Sequence, residues 1–118
     1  MAVAVLVVED EAIIRLNTAM FLEDEGFRVF EAVNAQAAIA ILTEHPEIHI
    51  LFTDIDMPGS MDGLKLSAFV RDRWPPVRIV VTSGKRTVEV TDLPDGSVFF
   101  SKPYELTALA MSIRELVN

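Results

Sequence analysis

Residues 3–11 read VAVLVVEDE, in which six consecutive apolar residues, most of them β-branched, end abruptly in three carboxylates. An apolar run without a polar break is typical of a strand that is covered on both faces, as in a parallel sheet. Three later segments are nearly as apolar: residues 48–52, interrupted only by His49, residues 77–81, with Arg78 inside, and residues 98–100. Residues 27–33 differ because Arg28 and Glu31 interrupt them. This pattern predicts four buried strands and one edge strand.

Helical patterns lie between these strands. Ile13, Leu16 and Met20 stand at i, i+3 and i+7, which predicts a helix that turns this side toward the core and stops at Gly26. Asn34 is a suitable N-cap for a second helix over residues 35–44. Apolar residues at helical spacing mark two more helices: Leu66, Phe69 and Val70, and then Leu106, Leu109, Ile113 and Leu116. Residues 86–93 are rich in β-branched side chains and predict only a short or irregular helix.

The alternation of strand and helix predicts an α/β fold, a three-layer sandwich around a five-stranded parallel sheet. A strand order of 2-1-3-4-5 would put the reversal of order between the first and third strands. The 118 residues suit one domain, so we expect a single domain over residues 1–118.

Composition excludes several classes of protein. There is no cysteine, so disulfides and thiolate chemistry are absent. The net charge of −8 repels a phosphate backbone and argues against direct nucleic-acid binding. The apolar stretch at residues 2–8 is far shorter than the roughly 20 residues of a membrane span. We therefore expect a cytoplasmic protein without a membrane partner.

Polar residues follow the predicted strands at the ends where ligands bind in open parallel sheets. They form four groups: Glu9-Asp10-Glu11, Asp54-Ile55-Asp56, Thr82-Ser83-Gly84 and Ser101-Lys102-Pro103. Three carboxylates in one crevice repel each other unless a cation such as Mg²⁺ neutralises them. An ammonium and a hydroxyl beside them suit phosphoryl transfer. Taken singly, each group has a simpler interpretation as a helix cap or turn, so the prediction depends on all four occurring together.

The segments LVVEDE, LFTDIDMPGSMDG, IVVTSG and FFSKPY resemble the receiver domains of two-component response regulators, which have a flavodoxin-like fold. The resemblance implies that Asp54 is the phosphoacceptor. It also implies that Glu9, Asp10 and Asp54 hold Mg²⁺, or Mn²⁺ in its place, together with the backbone carbonyl of Asp56. The implied partners are a histidine kinase or histidine phosphotransfer protein, and an output protein that the sequence does not identify.

The resemblance assigns roles to further residues. Thr82 and Lys102 would bind the phosphoryl group, and Phe99 would be the aromatic switch residue, although it has no hydroxyl. Pro103 would follow a cis peptide bond. Asp56 and Gly84 would tune the lifetime of the phosphoryl group. The loop at residues 59–60 is one residue longer than the usual family spacing.

Two alternatives remain open on the sequence. Asp54-Ile55-Asp56 with a later threonine and lysine also resembles the haloacid-dehalogenase-like phosphatases, although their aspartate motif usually follows the first strand. A pseudo-receiver would keep the fold as a binding module without being phosphorylated. The leading interpretation is a phosphoacceptor switch rather than an enzyme, with only self-phosphorylation from small donors and autodephosphorylation expected.

Overall fold

The computed structural model describes residues 2–59, 61–84 and 93–118, and these form five strands and four helices. The strands are β1 (Ala4–Val8), β2 (Arg28–Ala32), β3 (Ile50–Asp54), β4 (Arg78–Ser83) and β5 (Val98–Ser101). The helices are α1 (Ala12–Asp24), α2 (Ala35–Glu44), α3 (Gly63–Arg73) and α4 (Leu106–Val117). All paired strands run parallel, in the order β2-β1-β3-β4-β5. The predicted fold class, strand order and edge position of β2 are confirmed. The prediction that β5 is a buried strand is wrong: it lies at the opposite edge of the sheet and is half-buried or exposed along its length.

The sheet has a separate apolar core on each face. Successive residues of β1 point to opposite sides, so Leu6 and Val8 pack in one core and Val5 and Val7 in the other. The first core is covered by α2 and α3, and the second by α1 and α4. Every residue of β1 is buried, which explains why this strand needs an unbroken apolar sequence.

The helix predicted over residues 35–44 has those bounds. The backbone N–H of Ala37 donates to Asn34 Oδ1 at 2.8 Å, which satisfies one of the free donors at the helix start. The fourth predicted helical segment, residues 86–93, lies outside the described residues except for Leu93. Within the described ranges, none of the helices has the length and apolar character that crossing a bilayer requires.

The predicted inward side of α1 is wrong. Ile13, Leu16 and Met20 are 75%, 47% and 62% exposed, whereas the buried residues of this helix are Thr18, Ala19 and Leu22. The short link from β1 to α1 and the contacts of Arg15 set the rotation of the helix. The Arg15 guanidinium donates to the Glu9 carbonyl at 2.9 Å and to Glu31 at 3.3 Å, which turns its side of the helix toward the sheet.

Candidate functional site

The carboxyl ends of β1 and β3 lie side by side at the point where the strand order reverses. Asp54 is the last residue of β3, and Glu9 and Asp10 directly follow β1. Glu9 and Asp54 are buried, and Asp10 is exposed. One carboxylate oxygen from each of the three residues lies within 4.8 Å of the others. The structure therefore brings the predicted acidic residues together.

Lys102 supplies a cation to this pocket. Its Nζ donates to Asp54 Oδ2 at 2.9 Å and to Glu9 Oε1 at 3.3 Å. Burial alone would lower the pKa of Lys102, but the hydrogen bonds and charges of Asp54 and Glu9 outweigh burial and raise it above its ordinary value. The peptide bond between Lys102 and Pro103 is cis. A Cβ atom on Gly84 would lie 3.1 Å from Lys102 Cβ, so Gly84 leaves room for the lysine stem.

Glu9 is a buried carboxyl group of the pocket with a raised pKa. The pKa of Glu9 is raised from 4.5 to about 7, and burial is the largest cause. The hydrogen bond from the backbone N–H of Glu11, at 3.1 Å, and the charge of Lys102 lower the pKa, whereas Asp10 and Asp54 contribute to raising it. Near neutral pH, a proton on Glu9 therefore reduces the repulsion between the carboxylates, as a bound cation would.

This raised pKa predicts that the metal-free chain loses stability as pH rises. Below pH 4.5 Glu9 is protonated in both folded and unfolded chains; between pH 4.5 and about 7 only the folded chain keeps the proton. The stabilising contribution is lost across that window, and it amounts to at most about 3 kcal/mol at about 1.4 kcal/mol per pKa unit. Urea unfolding at several pH values should show this slope in the wild type.

The matched variants are Glu9→Gln and Glu11→Gln. Glu9→Gln should remove this part of the slope, whereas Glu11→Gln, at an exposed neighbouring position, should keep it. Mg²⁺ should bind more tightly as pH rises through 7, because protons compete for the same carboxylates. A slope that is identical in the wild type and Glu9→Gln would contradict the assignment of the raised pKa to Glu9.

Thr82 lies beside Asp54 on the neighbouring strand, paired with it in register. Its Oγ1 is buried and has no hydrogen-bond partner within the part of the chain that the structure describes. A buried hydroxyl without a partner is unfavourable, and an oxygen-rich group bound next to Asp54 would supply one. Phe99 pairs in register with Val81 and is half-buried against the core under α2 and α3.

The donor set of this pocket suits Mg²⁺. Magnesium takes oxygen ligands and is usually held by one or two carboxylates while it keeps several waters. The carboxylates of Glu9, Asp10 and Asp54 give the oxygens at compatible spacing, and two of them are buried, where unneutralised charges repel each other most strongly. The residues therefore fit the ion.

Sequence reasoning gave no role to three contacts around the site. Arg15 holds the Glu9 carbonyl, and Ser83 Oγ donates to Asp56 Oδ2 at 2.6 Å. The hydroxyls of Thr18 and Tyr104 lie 3.1 Å apart, and the Tyr104 ring packs edge-on against another aromatic ring. The apolar spacing of α1 gave no signal for the last contact, because it predicted a different inward side.

A comparison with protein families places almost the whole chain in one of them. The family described as response regulator receiver domain matches residues 5–114. A putative NtrX-like response regulator from Rickettsia bellii is 34% identical over 93% of this chain, which corresponds to 24% of that protein. A probable transcriptional regulatory protein from Picosynechococcus sp. is 35% identical over 97% of this chain and 49% of its own length. The chain thus spans about a quarter to a half of the length of these relatives.

Solved structures agree with the sequence matches. A response regulator receiver protein from Sinorhizobium medicae is 30% identical, with a TM-score of 0.91 over 99% of this chain and 95% of that one. The receiver domain of the hybrid histidine kinase CckA is 29% identical, with a TM-score of 0.83 over 98% of this chain and 99% of that one. The family match, the fold and the position of the acidic pocket lead to the same assignment: the chain belongs to the response regulator receiver domains of two-component systems.

Proposed function

We propose that Asp54 accepts a phosphoryl group from a phosphohistidine on a sensor kinase or histidine phosphotransfer protein, and that the domain acts as a signalling switch in the cytoplasm. The observation that carries the proposal is the setting of the Asp54 carboxylate. It is buried, lies 2.9 Å from the Lys102 ammonium and shares its pocket with two more carboxylates. It also lies in register with Thr82, whose hydroxyl has no hydrogen-bond partner among the residues that the structure describes. A structural helix cap would need none of these neighbours.

The proposed step is an in-line displacement at phosphorus. An oxygen of Asp54 forms a bond to phosphorus while the bond from phosphorus to the donor imidazole nitrogen breaks, and the electron pair of that bond returns to nitrogen. Lys102 is close enough to neutralise the charge of one phosphoryl oxygen, and the Thr82 hydroxyl can donate a hydrogen bond to another. Mg²⁺, or Mn²⁺ in its place, would supply further charge neutralisation when held by Glu9, Asp10, Asp54 and the backbone carbonyl of Asp56.

The proposed switch follows from the same residues. A hydrogen bond from Thr82 to the phosphoryl group would draw the end of β4 toward Asp54, and the half-buried Phe99 on β5 would repack behind it. This would change the surface at β5 and α4, where an output protein would bind. Attack by water on phosphorus would release phosphate and restore the carboxylate, at a rate that Asp56 and Gly84 would tune.

The exposed apolar side of α1, formed by Ile13, Leu16 and Met20, supports docking of the protein that donates the phosphoryl group. This side lies next to the site, because Ile14 and Asn17 of α1 line a cavity of about 430 Å³ whose other wall includes Lys102 and Pro103. A partner that covers α1 could therefore bring a phosphohistidine to the pocket.

Leu16→Ser is expected to slow transfer from a protein donor by about tenfold or more, which corresponds to the loss of one buried leucine contact. Phosphorylation by acetyl phosphate should stay unchanged, because that small donor needs no docking surface. The rates can be compared with a phosphorylated histidine phosphotransfer protein that is active on the wild type. Met111→Ser on α4, at 60% exposure, is the matched control and should keep both rates. Equal losses with both donors would contradict docking at α1.

Mass spectrometry after incubation with acetyl phosphate and Mg²⁺ tests the proposed function. The expected product carries one phosphoryl group that is stable in acid, labile to hydroxylamine and located on Asp54 by fragmentation. Modification of a different residue would contradict the assignment of Asp54. The absence of any modification would instead identify the chain as a binding module with a receiver fold.

A further inference from the structure

Ser83 makes a contact that the proposed chemistry does not use. It is the last residue of β4 and is buried. Its Oγ donates to Asp56 Oδ2 at 2.6 Å. This hydrogen bond links the end of β4 to the loop that follows β3. A short bond from a hydroxyl to a carboxylate is among the stronger hydrogen bonds in proteins.

Asp56 is held at a second point, through its backbone. Its N–H donates to Asp54 Oδ1 at 3.0 Å. The backbone of Asp56 is therefore hydrogen-bonded to the Asp54 carboxylate, and its side chain is hydrogen-bonded to the end of β4. Since carboxylates repel each other, an Asp56 side chain without this hydroxyl would tend to turn away from the acidic pocket and move its own backbone.

We propose that Ser83 is a positioning residue of the acidic site, which fixes Asp56 and with it the peptide that follows Asp54. The burial of Ser83 strengthens the contact, because its hydroxyl cannot exchange Asp56 for bulk water at low cost. Asp56 makes further contacts, and Ser83 sets the direction of its carboxylate rather than being its sole support.

One consequence rests on the proposed function. The backbone carbonyl of Asp56 is assigned there to the magnesium site, so a residue that fixes Asp56 also prepares that oxygen for the ion. Residues that orient metal ligands commonly change metal affinity by about tenfold or more. Ser83 is expected to act on Mg²⁺ through Asp56 and not directly.

The test compares Ser83→Ala with Ser83→Thr, which keeps a hydroxyl, and with Ser101→Ala. Ser101 is the exposed register partner of Ser83 at the end of β5 and is the matched control. The first measurement is hydrogen exchange of the Asp56 amide by NMR, without metal. The second is the Mg²⁺ dissociation constant from calorimetry. Both are repeated for Ser83→Ala in an Asp56→Ala background.

Ser83→Ala should speed exchange of the Asp56 amide and weaken Mg²⁺ binding, each by about three- to tenfold, as expected for one lost hydrogen bond. Ser83→Thr should restore both values toward the wild type, and Ser101→Ala should change neither. In the Asp56→Ala background, Ser83→Ala should have no further effect. An unchanged Asp56 amide in Ser83→Ala, or an equal effect in both backgrounds, would overturn the inference. If the wild type fails to bind Mg²⁺, the proposed function is wrong, and the amide exchange still decides the role of Ser83.

Discussion

Asp54→Asn is expected to take up no phosphoryl group from acetyl phosphate under conditions in which the wild type gains one. The substitution keeps the size of the side chain but replaces a charged carboxylate with a neutral amide, which is not a nucleophile of comparable strength. Intact-protein mass spectrometry before and after incubation measures the difference directly. Asp72→Asn is the matched control, because it makes the same chemical change at an exposed position on α3 and should be phosphorylated like the wild type.

The same variant separates the proposed acceptor role of Asp54 from its proposed role as a metal ligand. Glu9 and Asp10 remain in Asp54→Asn, and the asparagine still offers a carbonyl oxygen, so Mg²⁺ should bind with an affinity reduced by about tenfold rather than abolished. Calorimetric titration measures this affinity. A phosphoryl group that still enters the variant would show that Asp54 is not the acceptor. Complete loss of Mg²⁺ binding would show that the variant has lost the pocket as a whole.

Much of the fold was predictable because the parallel sheet imposes a strong pattern on its strands. The central strands of this sheet are covered on both faces, so β1 has no place for a polar side chain until it ends at Glu9. The change from apolar to acidic residues therefore marks the strand end. The strand predicted at residues 48–52 lies at Ile50–Asp54 instead, and Ile48 is buried although it lies before the strand.

The acidic pocket was predictable for a related reason. In a parallel sheet all carboxyl ends share one edge, so residues that follow different strands meet in space. Asp54 and Thr82 are paired in register, and Lys102 follows β5 directly. No long-range packing had to be known in order to place these side chains near each other.

Rotation of α1 was not predictable from periodicity alone, because apolar residues lie on two sides of this helix. Ile13 and Met20 stand at the spacing of a buried stripe, yet the inward positions include Thr18, a polar residue. The hydroxyl of Tyr104 compensates for burying Thr18, and Arg15 bonds the Glu9 carbonyl. These contacts join residues that are remote in sequence or depend on backbone position, and neither leaves a periodic signal.

The hydrogen bonds within the site were not predictable from the sequence either. The sequence placed Ser83 in a group of residues typical of a turn, and only the structure gives it a half-buried carboxylate partner in Asp56. Its partner lies on a different strand connection, so the pairing depends on how the ends of β3 and β4 are spaced. Local patterns identify which residue types meet at an edge of a sheet but not which hydrogen bonds they form there.

Gly63→Ala is expected to lower the free energy of unfolding by about 3 kcal/mol and the melting temperature by roughly 10 °C. Gly63 is the first residue of α3, and its N–H donates to the Ile55 carbonyl at 3.1 Å. A Cβ atom here would lie 2.3 Å from the Asp54 carbonyl oxygen and 2.6 Å from Ile55 Cα. Both are backbone atoms, so the clash cannot be relieved by rotation of a side chain.

The clash involves the backbone of Asp54, which belongs to the acidic site. We therefore expect Gly63→Ala to affect the site as well as the stability of the fold. Gly63→Ala should weaken Mg²⁺ binding, because α3 or the end of β3 must shift to accept the methyl group. Gly26→Ala is the matched control: a Cβ atom there meets nothing within 4 Å, although the positive φ of 96° disfavours alanine. It should cost about 1 kcal/mol and leave Mg²⁺ affinity unchanged. Equal stability losses in the two variants would mean that α3 does not press against the backbone of Asp54.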